Sequence, residues 1–502
     1  MRGQVRMTTR VSVDNPMRQF SCWSPAGRAL AICMVAAAGS VNLRADPSLA
    51  QPPSSAGLQH TESSQSAAAV PATPAADMTF LENGFVRVGF DLSRGGSMTF
   101  IATSEHPSNI VNNADLGRQV QMSHYSGPWP FEPPGKPPHA NWAHLGWNPV
   151  QTGDCRLNPA KIVEHRSDGH EVYIRCAPMQ WPLDDVPADC VFETWTTLDG
   201  PLIRMRFRCT NHRADTTSYR PCSQELPAVY TISRLSRLIS YIGEHPFTEG
   251  ELTQVKNDWR EPWPWTALTA TEGWAALVDE HGWGLGVFND DGAEFHGGVY
   301  GDERSDDPQN GSTSYVAPIQ HETFDHNIVY EYETTMTVGR LAEIRGRFNE
   351  LATKTPPHWR FSADRRHWTL SGAKDRGLPL KGAWQIDLAD ELPRLIGPLR
   401  CWRAEDASIV ELSVEYAGRP TQGRLLWQRL GDAGFDPARS VTFDLIPSAT
   451  SRTYRVDLSS APLYSGLVTR LAVEPVSEAQ PGGGIAVSHI AVTSEKDTPA
   501  AP

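Results

Sequence analysis

From Met78 onward the chain alternates apolar and polar residues in short runs. Val86, Val88 and Phe90 are interleaved with Arg87, Gly89 and Asp91, and Ser93-Arg94-Gly95-Gly96 leads into Met98-Thr99-Phe100-Ile101. Period two marks a half-buried strand, and paired glycines supply a tight turn, so a hairpin is predicted here. The same alternation recurs at Val172/Ile174/Cys176 and at Ile203/Met205/Phe207/Cys209, and a second hairpin runs from Trp274 to Phe288 with its turn at His281-Gly282. Helical spacing is scarce. Leu341, Ile344, Phe348 and Leu351 predict one amphipathic helix, ending near Thr355. Pro356-Pro357 breaks the chain, after which Val410/Leu412/Val414/Tyr416, Val441/Phe443/Leu445 and Tyr454/Val456/Leu458 alternate again.

The pattern predicts an all-β protein. Residues 78–355 are too many for a simple sandwich and suit a large antiparallel one with a curved, ligand-holding sheet. Residues 356–502 suit a smaller jelly-roll β-sandwich. Its tryptophans, Trp359, Trp368, Trp384, Trp402 and Trp427, fit either a carbohydrate-binding module or plain core packing.

Before Met78 the pattern changes character. Arg2, Arg6, Arg10, Arg18 and Arg28 precede the apolar run Ala29 to Ala38, followed by small residues. That order is a secretory signal peptide, and the run is too short to span a bilayer. Residues 1–45 are therefore expected to be removed on export, leaving a secreted or periplasmic protein with no membrane span. Residues 46–77 are rich in Pro, Ala and Ser and poor in large apolar side chains, which predicts a flexible linker.

The net charge of −13 becomes more negative once the arginine-rich leader is gone. An acidic chain repels phosphate backbones, so nucleic acid is excluded as a partner. Strongly anionic polysaccharides are disfavoured unless a local basic cleft overrides the average. Beyond the leader stand Cys155, Cys176, Cys190, Cys209, Cys222 and Cys401, none in a C-x-x-C pair. No metal site and no cofactor is expected from them, and both bridged and free thiols are compatible with the spacing.

Four clusters combine aromatics with amides and charges: Asp115 to Tyr125, Trp142 to Asp154, Gln224 to Tyr230, and Thr271 to Ala276. Sugars are bound by flat aromatic faces together with planar amide, carboxylate or guanidinium groups that match vicinal hydroxyls. Arg118, Gln119, Gln121, His124, Tyr125, Trp147, Asn148, Gln151, Gln224 and Trp274 are the candidate binding residues for a poly- or oligosaccharide, and Arg118, Gln121, Trp147, Asn148, Gln151 and Gln224 are expected to share one concave face with Asp154 and Glu225. Oligomeric state is not legible.

The strings Gly117 to Tyr125, Trp147 to Asp154, Gln224 to Ala228 and Thr271 to Ala275, with the Arg94-Gly95-Gly96 hairpin, resemble a family of secreted bacterial proteins similar to the galactose-mutarotase-like β-supersandwich. The resemblance covers about residues 78–355. It implies that fold, within a superfamily that holds epimerases, glycoside hydrolases and the central domains of polysaccharide lyases. The family pattern reads Gln-Gln-Ser-Tyr-Tyr where this chain has Gln121-Met122-Ser123-His124-Tyr125.

Three functions follow as expectations. The leading one is a glycoside hydrolase, which needs two carboxylates about 5–5.5 Å apart for retention or about 6.5–9.5 Å for inversion. Glu225, Asp154 and Glu272 are the catalytic candidates, with Glu225 beside apolar Leu226-Pro227-Ala228 as general acid and Asp154 as base or nucleophile. The second is a lyase or epimerase using His124, Tyr125, His144, His296 or His326, with Arg118 steadying a carboxylate. The third is a glycan-binding protein without turnover.

Overall fold

The computed structural model describes residues 77–256, 265–388 and 392–494. The signal peptide and nearly all of the linker expected from the sequence lie outside these residues.

Alternating strands need a partner face, and here they find it in two pairs of antiparallel sheets. The first sheet of the large sandwich runs, in spatial order, Met78–Glu82, Val86–Asp91, Ser97–Thr103, Val120–Ser123, Cys222–Ile232, Thr313–Glu322, Glu294–Tyr300 and Thr266–Thr269. Two short strands, Pro149–Val150 and Met179–Gln180, hang from Val120–Ser123. The second sheet is built around Trp274–Val278, Trp283–Phe288, Val329–Arg340, Leu202–Asn211 and Cys190–Asp199. Between them lies one core of inward side chains, including Phe90, Met122, Phe192, Phe207, Val229, Leu285, Val316 and Met336. The expected all-β class, a large supersandwich followed by a smaller sandwich, is what these sheets form.

The helix Leu341–Leu351 covers the outer side of the second sheet. Its Ile344 and Phe348 pack on Trp274, Ala276, Val278 and Phe288. Gly286 allows that approach, because a Cβ there would lie 2.4 Å from Ile344 Cγ2. The smaller sandwich has two further sheets, closed around Trp368, Trp384, Tyr416, Trp427, Val468 and Ile490. All five of its singled-out tryptophans are buried, at 0–6% exposure. Of the two readings open for these tryptophans, core packing is the one their burial shows: the indoles fill the core, where burial of a large apolar ring is worth most.

Polar contacts join the two sandwiches. Buried Arg365 binds Asp325 Oδ2 at 2.7 Å across the boundary and Asp375 within its own sandwich. Arg470 reaches Glu294 at 3.5 Å, and the Ala293 N–H donates to the Leu399 carbonyl. A cavity of about 170 Å³ lies between them, beside Asp291, Pro357, Trp359, His367 and Arg400. The six cysteines beyond the leader are free thiols. Among the described residues, no helix is long and apolar enough to cross a membrane, and no group of three His, Cys, Asp or Glu could hold a metal ion.

Candidate functional site

The strand Cys222–Ile232 carries a bulge. Its pairing with Thr313–Glu322 slips between Glu225 and Val229, and its pairing with Val120–Ser123 slips between Glu225 and Ala228. Bulges re-aim side chains. Leu226 and Val229 enter the core between the sheets, whereas Ala228 joins an outer cluster with Tyr315, Ala317 and Ile319. Tyr230 and Trp265 pack on that cluster, their rings 4.8 and 5.2 Å from the ring of Tyr315.

Glu225 stands in this outer cluster, 7% exposed. Its Oε2 accepts the Tyr125 hydroxyl at 2.8 Å and its Oε1 accepts the Tyr315 hydroxyl. Ser123 donates to the Tyr125 oxygen at 3.0 Å, completing a chain of hydroxyls that ends on the carboxylate. Burial raises the Glu225 pKa, against the opposing hydrogen bonds from Tyr315, Tyr125 and Ser123 and the charge of His296. Burial and the nearby Glu225 charge push both Tyr125 and Tyr315 well above the ordinary phenol range. The result is a carboxyl more basic than usual, held against two phenols that keep their protons. Tyr315 is buried at 1% exposure, while Tyr125 is only half-buried.

Charges surround this pair. Arg118 binds Asp115 at 2.9 Å, donates to the Gly311 carbonyl and lies 5.6 Å over the Tyr300 ring. Its charge lowers the otherwise raised pKa of Tyr230. Two strands from Glu225, Glu294 lies 3.5 Å from His296, 3.3 Å from His321 and 3.5 Å from Arg470 of the smaller sandwich. Burial alone would raise Glu294, but His321, His296 and Arg470 outweigh it and hold the carboxyl well below its usual range.

Glu225 meets the binding candidate Tyr125 through a hydrogen bond, while Arg118 is tied to Asp115 and Gly311 and reaches this cluster through its charge on Tyr230. The amides do something else. Gln121 Oε1 accepts the Thr152 N–H, Gln151 Oε1 accepts the Met122 N–H, and Asn148 donates to the His124 carbonyl at 2.9 Å. Gln224 holds both the N–H and the carbonyl of Tyr125, and Gln119 donates to the Asp115 carbonyl. All five are buried at 0–2% exposure. They are staples for backbone groups left unpaired by the short strands and the bulge, not ligands for sugar hydroxyls.

Five further expectations are corrected. His124 points into the core, stacked on Phe324 at 5.0 Å, and burial lowers its pKa to about 3. Trp147 is 1% exposed and packs against Phe324 and Arg213. Asp154 closes its own loop, its oxygens accepting the N–H groups of Arg156, Asn158 and Asp185 and the Asn158 side chain at 2.8–3.0 Å. Glu272 is fully engaged under the helix by Arg345 at 2.8 and 3.0 Å, by the Trp274 indole at 3.1 Å and by the Phe247 N–H. Trp274 is accordingly core. Each carboxylate has donors enough without a ligand, and a charge so enclosed is costly to disturb.

Tyr315, Trp265 and Glu294 were not singled out from sequence, and Tyr230 entered only as the end of the Gln224 cluster. Thr313–Glu322 is covered on both faces, so it reads Tyr315-Val316-Ala317-Pro318-Ile319 without alternation. The one available signal was that run itself, a continuous apolar strand interrupted by a tyrosine.

No family model matches the chain, and no curated protein matches it. Solved structures similar to it include a galactose mutarotase-like protein from Lactobacillus casei, at 14% identity over 52% of this chain and 99% of that one, with a TM-score of 0.32. The Slr1438 protein from Synechocystis aligns at 12% identity over 54% and 99%, TM-score 0.35. A 4-alpha-glucanotransferase from Thermococcus litoralis aligns at 11% identity over 53% of this chain and 37% of that one, TM-score 0.29.

Proposed function

We propose that the protein is a carbohydrate-active enzyme that works by proton transfer at Glu225 and Tyr125, in the manner of a lyase or epimerase. The observation that carries this reading is the buried carboxyl of Glu225, made more basic by burial and bracketed by the hydroxyls of Tyr125 and Tyr315. Glu225 takes a proton from the sugar while half-exposed Tyr125 gives one, and Tyr315 positions the carboxyl without touching substrate. The tyrosine and tryptophan faces beside it suit pyranose rings, and Arg118 supplies the cation for developing negative charge.

Paired-carboxylate hydrolysis fits less well. Asp154 and Glu272 are each closed in networks whose partners are not shared with Glu225. The same proposal places the protein outside the cytoplasm, on the strength of its arginine-rich, then apolar, first forty residues.

The test is turnover of a polysaccharide and oligosaccharide panel, read as unsaturated-product absorbance, anomer or epimer interconversion, and reducing ends. Glu225→Gln and Tyr125→Phe are each expected to lower kcat by about 10²–10⁴-fold with KM little changed. Reducing ends without unsaturation, together with loss of activity on replacing a second carboxylate, would make it a hydrolase. Binding without turnover by any readout would make it a lectin-like protein.

A further inference from the structure

The outer face does not stop at Glu225. Trp142 is 36% exposed and meets Trp181 edge to face, with ring centroids 5.8 Å apart. Trp181 in turn lies against the Asp115–Arg118 turn. A Cβ on Gly117 would fall 2.8 Å from the indole Cη2 and 3.2 Å from Asp115 Oδ1, so glycine is what lets the ring seat there. Asp115 holds Arg118, Arg118 faces the exposed ring of Tyr300, and its charge acts on Tyr230. Tyr230 packs on Tyr315, which donates to Glu225. Aromatic faces and one ion pair thus run contiguously from Trp142 through Trp181 to Arg118 and Tyr300, on the side from which the Arg118 charge reaches the Tyr230–Tyr315–Glu225 cluster.

The far end of this strip is held as firmly as the near end. The Trp181 N–H donates to the Asn148 carbonyl at 2.8 Å, and the Trp181 carbonyl accepts from Cys155. Asn148 is itself pinned to Gln180 and His124. These bonds fix the backbone that carries Trp181, and an exposed indole beside a half-buried one leaves apolar faces in water unless something covers them.

We propose that this strip is a run of binding subsites for a polymeric glycan, with sugar rings stacking at Trp142 and Trp181 while another ring reacts at Glu225. The proposal rests on Glu225 as the reacting centre and adds that the substrate is a chain rather than a free sugar. Flat indole faces match the C–H faces of pyranoses, and the Asp115–Arg118 pair offers both an acceptor and planar donors to hydroxyls between them.

The experiment uses the full-length chain in affinity electrophoresis and titration against galactan, xylan, alginate and polygalacturonate, each as polymer and as disaccharide. At least one polymer is expected to bind about tenfold or more tightly than its disaccharide, and Trp142→Ala and Trp181→Ala are each expected to remove that advantage while leaving disaccharide binding intact. Trp142 is the cleaner variant, since its indole is exposed and supports no core. Equal binding of polymer and disaccharide, equal weakening of both by Trp142→Ala, or retention of none of the four polymers would each overturn the subsites. None of these results touches the kcat test of Glu225, so the two readings fail separately.

Discussion

Replacing His124 by leucine will flatten the acid dependence of stability and leave turnover alone. The imidazole is wholly buried, stacked on Phe324 and met edge-on by Phe192, Tyr330 and Tyr332. Burial lowers its pKa from 6.5 to about 3, the contact with Gln224 opposing only weakly. The folded state therefore holds a neutral ring, while the unfolded chain takes up a proton as soon as pH drops below its ordinary value. Stability from this source is complete above 6.5 and is lost progressively as pH falls from there toward about 3. At about 1.4 kcal/mol per tenfold, the gap amounts to at most about 5 kcal/mol, of which about 3 kcal/mol is already gone at pH 4. Leucine is close to histidine in volume and lacks the titrating group, so at neutral pH the variant should lie within about 1.5 kcal/mol of the wild type. Urea unfolding of both proteins at neutral pH and at several more acid values measures the difference directly, because every other titrating group is common to the two. Parallel stability curves would refute the buried neutral ring. Loss of turnover at unchanged stability would return His124 to the chemistry.

Two further outcomes follow from the same geometry. Glu272→Met strands the guanidinium of Arg345, which is 12% exposed, and should cost about 3–5 kcal/mol in urea unfolding; adding Arg345→Met should recover most of it, and the folded fraction should keep its kcat. Tyr315→Phe removes a donor that stabilises the ionised Glu225, so the carboxyl pKa rises further and the acidic limb of the kcat/KM profile should move to higher pH, whereas a purely structural tyrosine would lower activity without moving the limb.

The strands facing solvent on one side were legible in the sequence because alternation survives there. Leu202–Asn211 and Ile409–Ala417 show it, and the helix Leu341–Leu351 announces itself by its spacing. Thr313–Glu322 was not legible, since both its faces are covered, and with it went Tyr315. The site was half legible. Glu225 and Tyr125 do meet, through one hydrogen bond, but the amides beside them were read by chemical type alone. An amide that binds a hydroxyl and an amide that binds a peptide look the same in sequence. What separates them is whether the neighbouring backbone has a ladder partner. Here two-residue strands and a bulge leave it without one. The tryptophans divide in the same way: Trp147, Trp274 and Trp384 fill cores, while Trp142, in a three-residue turn region, stays at the surface.

Those amides still serve the site at one remove. Gln224 and Glu225 are adjacent and face opposite ways from one strand. Gln224 turns inward and takes the Tyr125 N–H at 2.9 Å and its carbonyl at 2.8 Å, copying the paired bonds of a sheet ladder with a side chain. Glu225 turns outward and accepts the phenol of that same tyrosine at 2.8 Å. Tyr125 is thus gripped at both ends by consecutive residues, its peptide from the core side and its hydroxyl from the outer side. The neighbouring His124 lies on the core side, its carbonyl held by Asn148, so the short segment cannot rotate without breaking buried hydrogen bonds. Proton transfer gains most when donor and acceptor are already in place before substrate arrives, because no reorganisation is left for the reacting step. On the proposed proton-transfer reading, the buried amides contribute by fixing the separation of one carboxyl and one phenol.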